Sequence, residues 1–410
     1  MKIAVFHNLP TGGAKRALHG HVKYLTKSGH SVEVFVPSTA DESYLPLKSV
    51  ANKVSTFPVK STFAGLAYSA IKYVPYMKAR MSVSLRDLEN TQENIARTIN
   101  DGDCDVVLCE QDQFIASPFI LRYLEKPTVY YCQQPRRYGE TIISKLLDQA
   151  RGGRPPSSVK GYLKSRYVNK VLRIDRDNAS FSQYMLANSY YSRESILRNY
   201  GMNSFVSYLG VDTGLFRPLN LSREQFALSV GSCVPDKGFD FLIRSLACIK
   251  KSLRPDLVFV SNGANPLWKE YLERLAVSLE VNLRILQLID DSKLVELYNK
   301  ARVVLYAPYL EPFGLVPLEA MACGTPVVGV CEGGVRESIL HDKTGILTDR
   351  DESAFAAAVE RLLTDEDKQK AMAARAADQI RAMWTQQKAG DRLLAHLETA
   401  ARGHGNRKTT

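Results

Sequence analysis

Short apolar segments alternate with amphipathic ones along this chain of 410 residues, and the alternation limits its fold more than any other feature. The first segments predict a strand at 3–7, a Pro-Thr-Gly-Gly turn, a helix over about 15–27 that Gly29 ends, and a strand at 31–36. Strand–helix–strand units of this kind build parallel sheets with right-handed crossovers. The chain is therefore predicted to be an α/β protein.

Two series of such units follow one another. The first continues with predicted strands at 106–109, 128–132, 180–187 and 205–208 and a short helix at 191–200. The second has predicted strands at 226–231, 257–261, 283–286, 303–306 and 327–330, with helices between them at about 238–251, 266–280, 291–300 and 314–323. Because a single core rarely grows past roughly 250–300 residues, we expect two doubly wound, Rossmann-like domains.

The boundary between the domains is predicted near 209–218, where the first series ends. We expect an N-terminal domain over 1–208 and a C-terminal domain over 209–384. The segment 353–402 has a helical pattern throughout, and its last part, 385–402, is expected to join the N-terminal domain. The remaining residues, 403–410, are polar and basic and predict a disordered tail.

The positive charge lies entirely in the first half of the chain. Residues 1–210 contain 28 Lys and Arg against 17 Asp and Glu, whereas residues 211–410 contain 26 of each. Basic stretches such as Lys72–Arg86 and Arg151–Arg176 carry the excess. These stretches are compatible with binding to an anionic membrane surface, and equally compatible with a helix face exposed to solvent. No nucleic-acid-binding motif accompanies the charge, so nucleic acid is not an expected partner.

Cysteine and histidine spacing argues against disulfides and metal. The seven cysteines are odd in number and never form C-x-x-C, and no His pair has the i, i+4 spacing of metal ligands. No apolar run approaches the roughly 18 residues that a membrane span needs. We therefore expect a cytoplasmic protein without a metal or another cofactor.

The segment 311–345, EPFGLVPLEAMACGTPVVGVCEGGVRESILHDKTG, contains the strongest functional signal. Seven residues separate Glu311 from Glu319, and Phe313-Gly314-Leu315 stands where a helix should begin. A helix start offers unpaired N–H groups and a positive dipole end to an anion. Glu319 is a suitable acceptor for two ribose hydroxyls. As an isolated pair, the two glutamates would more often be ordinary surface carboxylates.

In its order of motifs, the chain resembles the retaining glycosyltransferases of family 4, which have the GT-B fold. The resemblance covers nearly the whole length and rests on the following segments: the Gly12-Gly13 turn, YYCQQPRRY at 130–138, ANSYYSRESI at 187–196, YLGVDTGLF at 208–216, LSVGSCVPDKGFDFLI at 228–243, and E-x7-E with CGTPVV and GGVRE after it. The resemblance implies that the two domains face each other across a cleft that binds a nucleotide-diphospho-sugar.

The resemblance also implies roles for single residues. Lys237 would contact the donor diphosphate, Glu311 the sugar hydroxyls and Glu319 the ribose. The remaining donor-side positions are backbone ones, namely Gly12, Gly13, Phe313, Gly314 and Leu315. Departure of a nucleoside diphosphate develops negative charge, which a preorganised cation and aligned N–H donors stabilise. No metal is required in such a scheme.

Two positions depart from the family pattern. Ser232 stands where the family usually has an arginine that binds phosphate, which leaves Lys15, Arg16 and Arg336 as candidate substitutes. Gln133 stands at a position where relatives have a catalytic-site histidine, and glutamine binds a hydroxyl but carries neither proton nor charge. In addition, Gln287 replaces a common glycine near the expected nucleotide base.

Candidates for acceptor binding are Arg136, Arg137 and Asp112. Arg136 and Arg137 fit exposed loop charges equally well, and Asp112 fits an ordinary strand-edge carboxylate better. Lipid-linked glycans, surface polysaccharides and small molecules all remain open as acceptors. The preferred function is transfer of a sugar from a nucleotide donor to such an acceptor. The alternatives are a GT-B protein that binds or scaffolds without transfer, and a nucleotide-sugar epimerase.

Overall fold

The computed structural model describes residues 1–60, 83–135 and 158–405. The chain divides into two compact units. Unit 1 contains the described residues of 1–138, 157–208 and 387–410, and unit 2 contains those of 209–386. Most of the basic stretch at 72–86 lies outside the described residues, as do Arg136 and Arg137.

Unit 1 contains a parallel sheet of seven strands. They are β1 (Lys2–Asn8), β2 (Ser31–Pro37), β3 (Lys53–Phe57), β4 (Val106–Asp112), β5 (Thr128–Tyr131), β6 (Tyr184–Ala187) and β7 (Phe205–Val206). Their order is β3-β2-β1-β4-β5-β6-β7. The chain therefore builds outward from β1 in one direction and then, from β4, in the other.

Unit 2 repeats this topology with six parallel strands. They are β8 (Glu224–Val230), β9 (Asp256–Ser261), β10 (Leu283–Gln287), β11 (Ala301–Tyr306), β12 (Val327–Val330) and β13 (Ile346–Thr348). Their order, β10-β9-β8-β11-β12-β13, again reverses beside the first strand. This is the strand order of a Rossmann-like domain, so the prediction of two doubly wound α/β domains is confirmed.

Twelve α-helices are described. They are α1 (Gly13–Lys27), α2 (Leu85–Asp101), α3 (Ser158–Ala179), α4 (Tyr190–Tyr200), α5 (Phe239–Ala247), α6 (Pro266–Ser278), α7 (Asp291–Lys300), α8 (Leu315–Ala322), α9 (Val335–Ser338), α10 (Glu352–Thr364), α11 (Glu366–Gln379) and α12 (Gln386–Gly405). The central strands are buried along most of their length, and each unit has its own apolar core.

The structure corrects the prediction in three places. Strands β3 and β13 were not predicted, because both are short and only partly buried. The segment 353–402 is not continuous helix: it breaks at Asp365, which caps α11, and at Thr385, which has extended backbone. Finally, α12 continues to Gly405, so residues 403–405 are helical and do not belong to a disordered tail.

The last helix, α12, packs on α1 within unit 1. A Cβ atom at Gly390 would lie 2.2 Å from Cγ of Tyr24, so only glycine allows this approach. The neighbouring Asp391 accepts a hydrogen bond from the Tyr24 hydroxyl. Tyr184 and His396 make a second contact, with 2.8 Å between the hydroxyl oxygen and Nδ1.

We predict that Gly390→Ala destabilises the protein by about 1–3 kcal/mol, because the added methyl group overpacks the contact with Tyr24. Gly403→Ala is the matched control in the same helix, since a Cβ atom there meets nothing within 4 Å. The control should keep or slightly raise stability, as alanine favours helix. Urea unfolding of both variants checks the prediction, and equal stability of the two would contradict it.

Candidate active site

The candidate residues lie at the carboxyl ends of strands that flank a reversal of strand order or, for Gln133, of the next strand along the sheet. In unit 1, Gly12 and Gly13 follow β1, Asp112 ends β4 and Gln133 follows β5. In unit 2, Lys237 follows β8, and the loop with Glu311 follows β11. Ligands of doubly wound proteins bind at this edge of the sheet, because the loops on either side of the reversal diverge and leave a crevice.

Lys237 and Glu311 form an ion pair with 2.8 Å between Nζ and Oε2. Their side chains are 27% and 18% exposed, so both groups are largely sheltered but still accessible. Lys237 ends a short 3-10 turn, Pro235–Lys237, just before α5, and the carboxylate of Glu311 balances its charge.

Glu319 lies in the second turn of α8 and is buried. The hydroxyl of Tyr298 on α7 donates to its Oε2 at 2.8 Å and thereby orients the carboxylate. Tyr306, at the end of β11, lies near both Glu311 and Glu319: burial and then these two carboxylates raise its pKa well above the usual value. The two glutamates of the E-x7-E pattern therefore share one neighbourhood.

Three helices that begin at these loops have glycine as N-cap. They are α1, α5 and α8, capped by Gly12, Gly238 and Gly314, and none of these caps makes a side-chain hydrogen bond in the described structure. Six other helices have Ser, Asn or Asp caps that accept from the first turn. At the starts of α1 and α8, no cap side chain takes up the first N–H groups, an arrangement that suits an external acceptor.

The loop with Glu311 is held by backbone contacts on both sides. Gly334 donates its N–H to the carbonyl of Glu311 at 2.8 Å, and a Cβ atom there would lie 2.1 Å from the carbonyl oxygen of Pro312. On the other side, a Cβ atom at Gly238 would lie 2.0 Å from the carbonyl oxygen of Ala307. These close approaches explain why the sequence needs glycine at both positions.

Arg350 braces the start of the same loop. Its guanidinium donates to the carbonyls of Ala307 and Pro308, each at 2.9 Å. It also binds both carboxylate oxygens of Glu332 at 2.8 Å and stacks 3.8 Å from the ring centroid of Tyr309. Arg350 and Tyr298 were not predicted from the sequence, because each belongs to no motif and is distant in the chain from the groups it binds.

In unit 1, Gln133 is bound to a buried carboxyl group. Its Nε2 donates to the two oxygens of Glu110 at 3.0 and 3.2 Å. Burial raises the pKa of Glu110 to about 8, against the opposing effect of the hydrogen bonds from Gln133 and the Gln111 backbone. Glu110 is therefore mainly protonated near pH 7.

Asp112 is buried and accepts hydrogen bonds from four groups. The side-chain amides of Asn8 and Gln92 donate at 2.7 and 2.8 Å, and the N–H groups of Phe114 and Ile115 donate at 2.7 and 3.3 Å. Burial raises its pKa to about 6. These four hydrogen bonds use both carboxylate oxygens and link β1, α2 and the loop after β4.

Lys15 is engaged in a buried cluster in unit 1. Its fully buried ammonium group forms an ion pair with Glu42 and lies 3.3 Å from Nε2 of His7. Burial lowers the pKa of His7 to about 4. For Glu42, hydrogen bonds from His7 and Lys15 outweigh burial and lower the pKa to about 2. Lys15 is therefore already paired with Glu42, which argues against it as a substitute for the arginine that Ser232 replaces.

The other two candidate substitutes differ in their surroundings. Arg16 donates to the Tyr44 hydroxyl at 2.6 Å, whereas Arg336 is exposed on the four-residue helix α9. Over the described parts of the chain, no group of three or more His, Cys, Asp or Glu side chains is arranged to hold a metal ion. Within the same ranges, none of the helices has both the length and the apolar character to cross a membrane.

We predict that Glu110→Gln becomes progressively more stable relative to the wild type as pH rises from about 5 to about 8.5. Because the folded-state pKa of Glu110 is raised, its stabilising contribution is complete below its unfolded value of 4.5 and is lost as pH rises through about 8. Thermal unfolding across this range measures the effect. The exposed Glu125→Gln is the control, and a parallel pH profile for both variants would contradict the prediction.

Comparison with known proteins finds similarity to glycosyltransferases. Residues 214–379 match the family model described as glycosyl transferases group 1. An uncharacterized glycosyltransferase of Methanocaldococcus jannaschii is 37% identical over 145 residues, 35% of this chain and 36% of that protein. A D-inositol 3-phosphate glycosyltransferase of Rhodococcus jostii is 30% identical over 216 residues, 48% of each chain. The matches thus span about a third to a half of these relatives.

Among solved structures, an Anabaena protein in complex with UDP-glucose aligns over 97% of this chain and 100% of its own, with a TM-score of 0.71 at 20% identity. At this identity the likeness concerns the fold. It extends over both units, whereas the family model covers only unit 2. Residues 214–379 are therefore similar to the glycosyl transferases of group 1, and the two units share the fold of the Anabaena protein.

Proposed function

We propose that the protein is a retaining hexosyltransferase that moves a sugar from a nucleotide-diphospho-sugar to a hydroxyl group. The observation that carries the proposal is the arrangement in unit 2, where the ammonium of Lys237, two oriented glutamates and the glycine-capped start of α8 occupy one edge of the sheet. An ammonium group and open N–H donors suit a diphosphate, and carboxylates suit hydroxyls.

In the proposed reaction, the bond between the anomeric carbon and the diphosphate oxygen breaks. Lys237 and the N–H groups at Gly314 and Leu315 stabilise the charge that develops on the departing diphosphate. The acceptor oxygen attacks the same face of the sugar, and its proton passes to the departing phosphate oxygen. Configuration is retained, and the protein needs neither a nucleophile nor a metal of its own.

Glu319 is proposed to accept hydrogen bonds from the ribose hydroxyls and Glu311 from the donor sugar. Gln133, held by Glu110, is proposed to bind a sugar hydroxyl, and Gly12-Gly13 to approach the phosphates with backbone. Asp112 suits a structural role better than acceptor binding, since its four donors already occupy it. A role for Arg136 and Arg137 in acceptor binding remains a prediction outside the described residues.

We predict that one of UDP, GDP or ADP, or its sugar ester, stabilises the wild type by about 2.7 kcal/mol at a hundred times its Kd. Lys237→Ala and Glu319→Ala should lose most of this stabilisation, because each removes a direct ligand contact. Lys251→Ala, an exposed lysine of unit 2, is the control and should keep it. Thermal shift measures all four proteins. Unchanged shifts in the first two variants would sink the proposed site.

We further propose that the acceptor is a glycan or lipid-linked glycan and that unit 1 meets it at an anionic membrane surface on the cytoplasmic side. Helix α3 supports this proposal with exposed basic residues at Arg166, Lys170 and Arg173. Between them, Tyr167 and Val168 are 56% and 41% exposed. Basic side chains beside exposed apolar ones suit the headgroup region of a bilayer.

We predict that the protein cosediments with vesicles of about 30% anionic lipid. The double variant Arg166→Glu, Lys170→Glu should bind these vesicles at least about thirtyfold more weakly, because each basic residue near the surface contributes roughly 1 kcal/mol of binding free energy. The matched control, Lys250→Glu with Lys251→Glu on the surface of unit 2, should bind like the wild type. Equal binding to neutral vesicles, or equal losses in both double variants, would contradict the proposal.

A further inference from the structure

We propose that Glu311 makes the site prefer a nucleotide diphosphate that carries a sugar over the same nucleotide without one. The inference rests on the proposed function, in which Lys237 binds the diphosphate. Its basis is the ion pair between Lys237 and Glu311, with 2.8 Å between Nζ and Oε2. A diphosphate and this carboxylate therefore compete for one ammonium group.

The backbone on both sides of the pair is held in place. Gly334 binds the carbonyl of Glu311, and the N–H of Tyr309 donates to the carbonyl of Asp236, next to Lys237, at 2.8 Å. This second bond joins the turn that ends at Lys237 directly to the loop that carries Glu311. The two side chains can therefore exchange partners by rotation about their own bonds, without movement of either loop.

The exchange has different consequences for the two kinds of ligand. A nucleotide without sugar takes Lys237 and brings its terminal phosphate, with up to two negative charges, close to a carboxylate that has lost its cation. This repulsion in a sheltered site opposes binding. A sugar ester places a less charged phosphate there and offers hydroxyl donors to Glu311. The carboxylate thus weakens binding of the sugar-free nucleotide and strengthens binding of the sugar ester. Such a difference between two affinities is what makes a binding site specific.

The expected consequence concerns turnover. Before transfer, Glu311 has the sugar hydroxyls as partners and stabilises the bound donor. After transfer, the sugar has left, and the carboxylate regains its attraction for Lys237. The leaving diphosphate is then displaced from the ammonium group by the protein's own anion. Glu311 is thereby a specificity-determining residue as well as a contact to the sugar.

The test measures Kd by calorimetry for a nucleotide diphosphate and its glucose ester, using whichever of UDP, GDP or ADP the wild type binds. Glu311→Gln should bind the sugar-free nucleotide about three- to tenfold more tightly than the wild type. It should bind the glucose ester no more tightly, so the preference for the sugar ester falls. Removing the Lys237 side chain as well should abolish this gain in affinity, because the diphosphate and the carboxylate then no longer compete for an ammonium group.

Glu280→Gln is the matched control, since Glu280 also forms an ion pair with a lysine, Lys251 at 2.6 Å, on the exposed surface of unit 2. It should leave both Kd values unchanged. Unchanged or weaker binding of the sugar-free nucleotide by Glu311→Gln, in a variant that unfolds like the wild type, would overturn the inference alone. A wild type that binds none of the three nucleotides or their glucose esters would overturn the proposed function and the inference together.

Discussion

Parallel pairing of every strand constrains this protein more than any other interaction. In a parallel sheet each connection must cross back over one face, so all strands end at the same edge. Both sheets begin with a central strand, build to one side and then reverse. The reversal separates the loops that follow β1 and β4, and equally those that follow β8 and β11. Candidate residues of both units lie in the loops beside this separation.

The charged candidate residues of unit 2 have partners within the protein. The Lys237 ammonium group has a carboxylate partner, and Tyr298 holds the second glutamate. In the described part of unit 2, the start of α8 offers positive dipole character without a side-chain partner at its glycine cap. In unit 1, Lys15 and Glu110 are fully buried. The Lys15–Glu42 ion pair links α1 to the loop after β2, and the hydrogen bonds between Gln133 and Glu110 link the segment after β5 to β4.

Helices and strands with a clear pattern of apolar residues were predictable from the sequence, and those without such a pattern were not. The strands β8, β9 and β11 bury apolar residues along most of their length, so their runs are visible in sequence. In contrast, β13 has three residues and β3 no fully buried one, and both gain stability from a neighbouring strand. The break at Thr385 escaped prediction for a related reason. The residues around it suit a helix, but Val211 takes up the backbone hydrogen bonds of Trp384 and Gln386.

The sequence by itself determined the fold class and predicted the resemblance to glycosyltransferases that residues 214–379 show, because apolar period, glycine position and motif order are local properties. Only the tertiary structure decided how those residues are paired. Lys237 and Glu311 are 74 positions apart, Lys15 and Glu42 are 27 apart, and Gln133 and Glu110 are 23 apart. Contacts over such separations depend on which strands lie side by side, and that order is set by the packing of whole helices on the sheets.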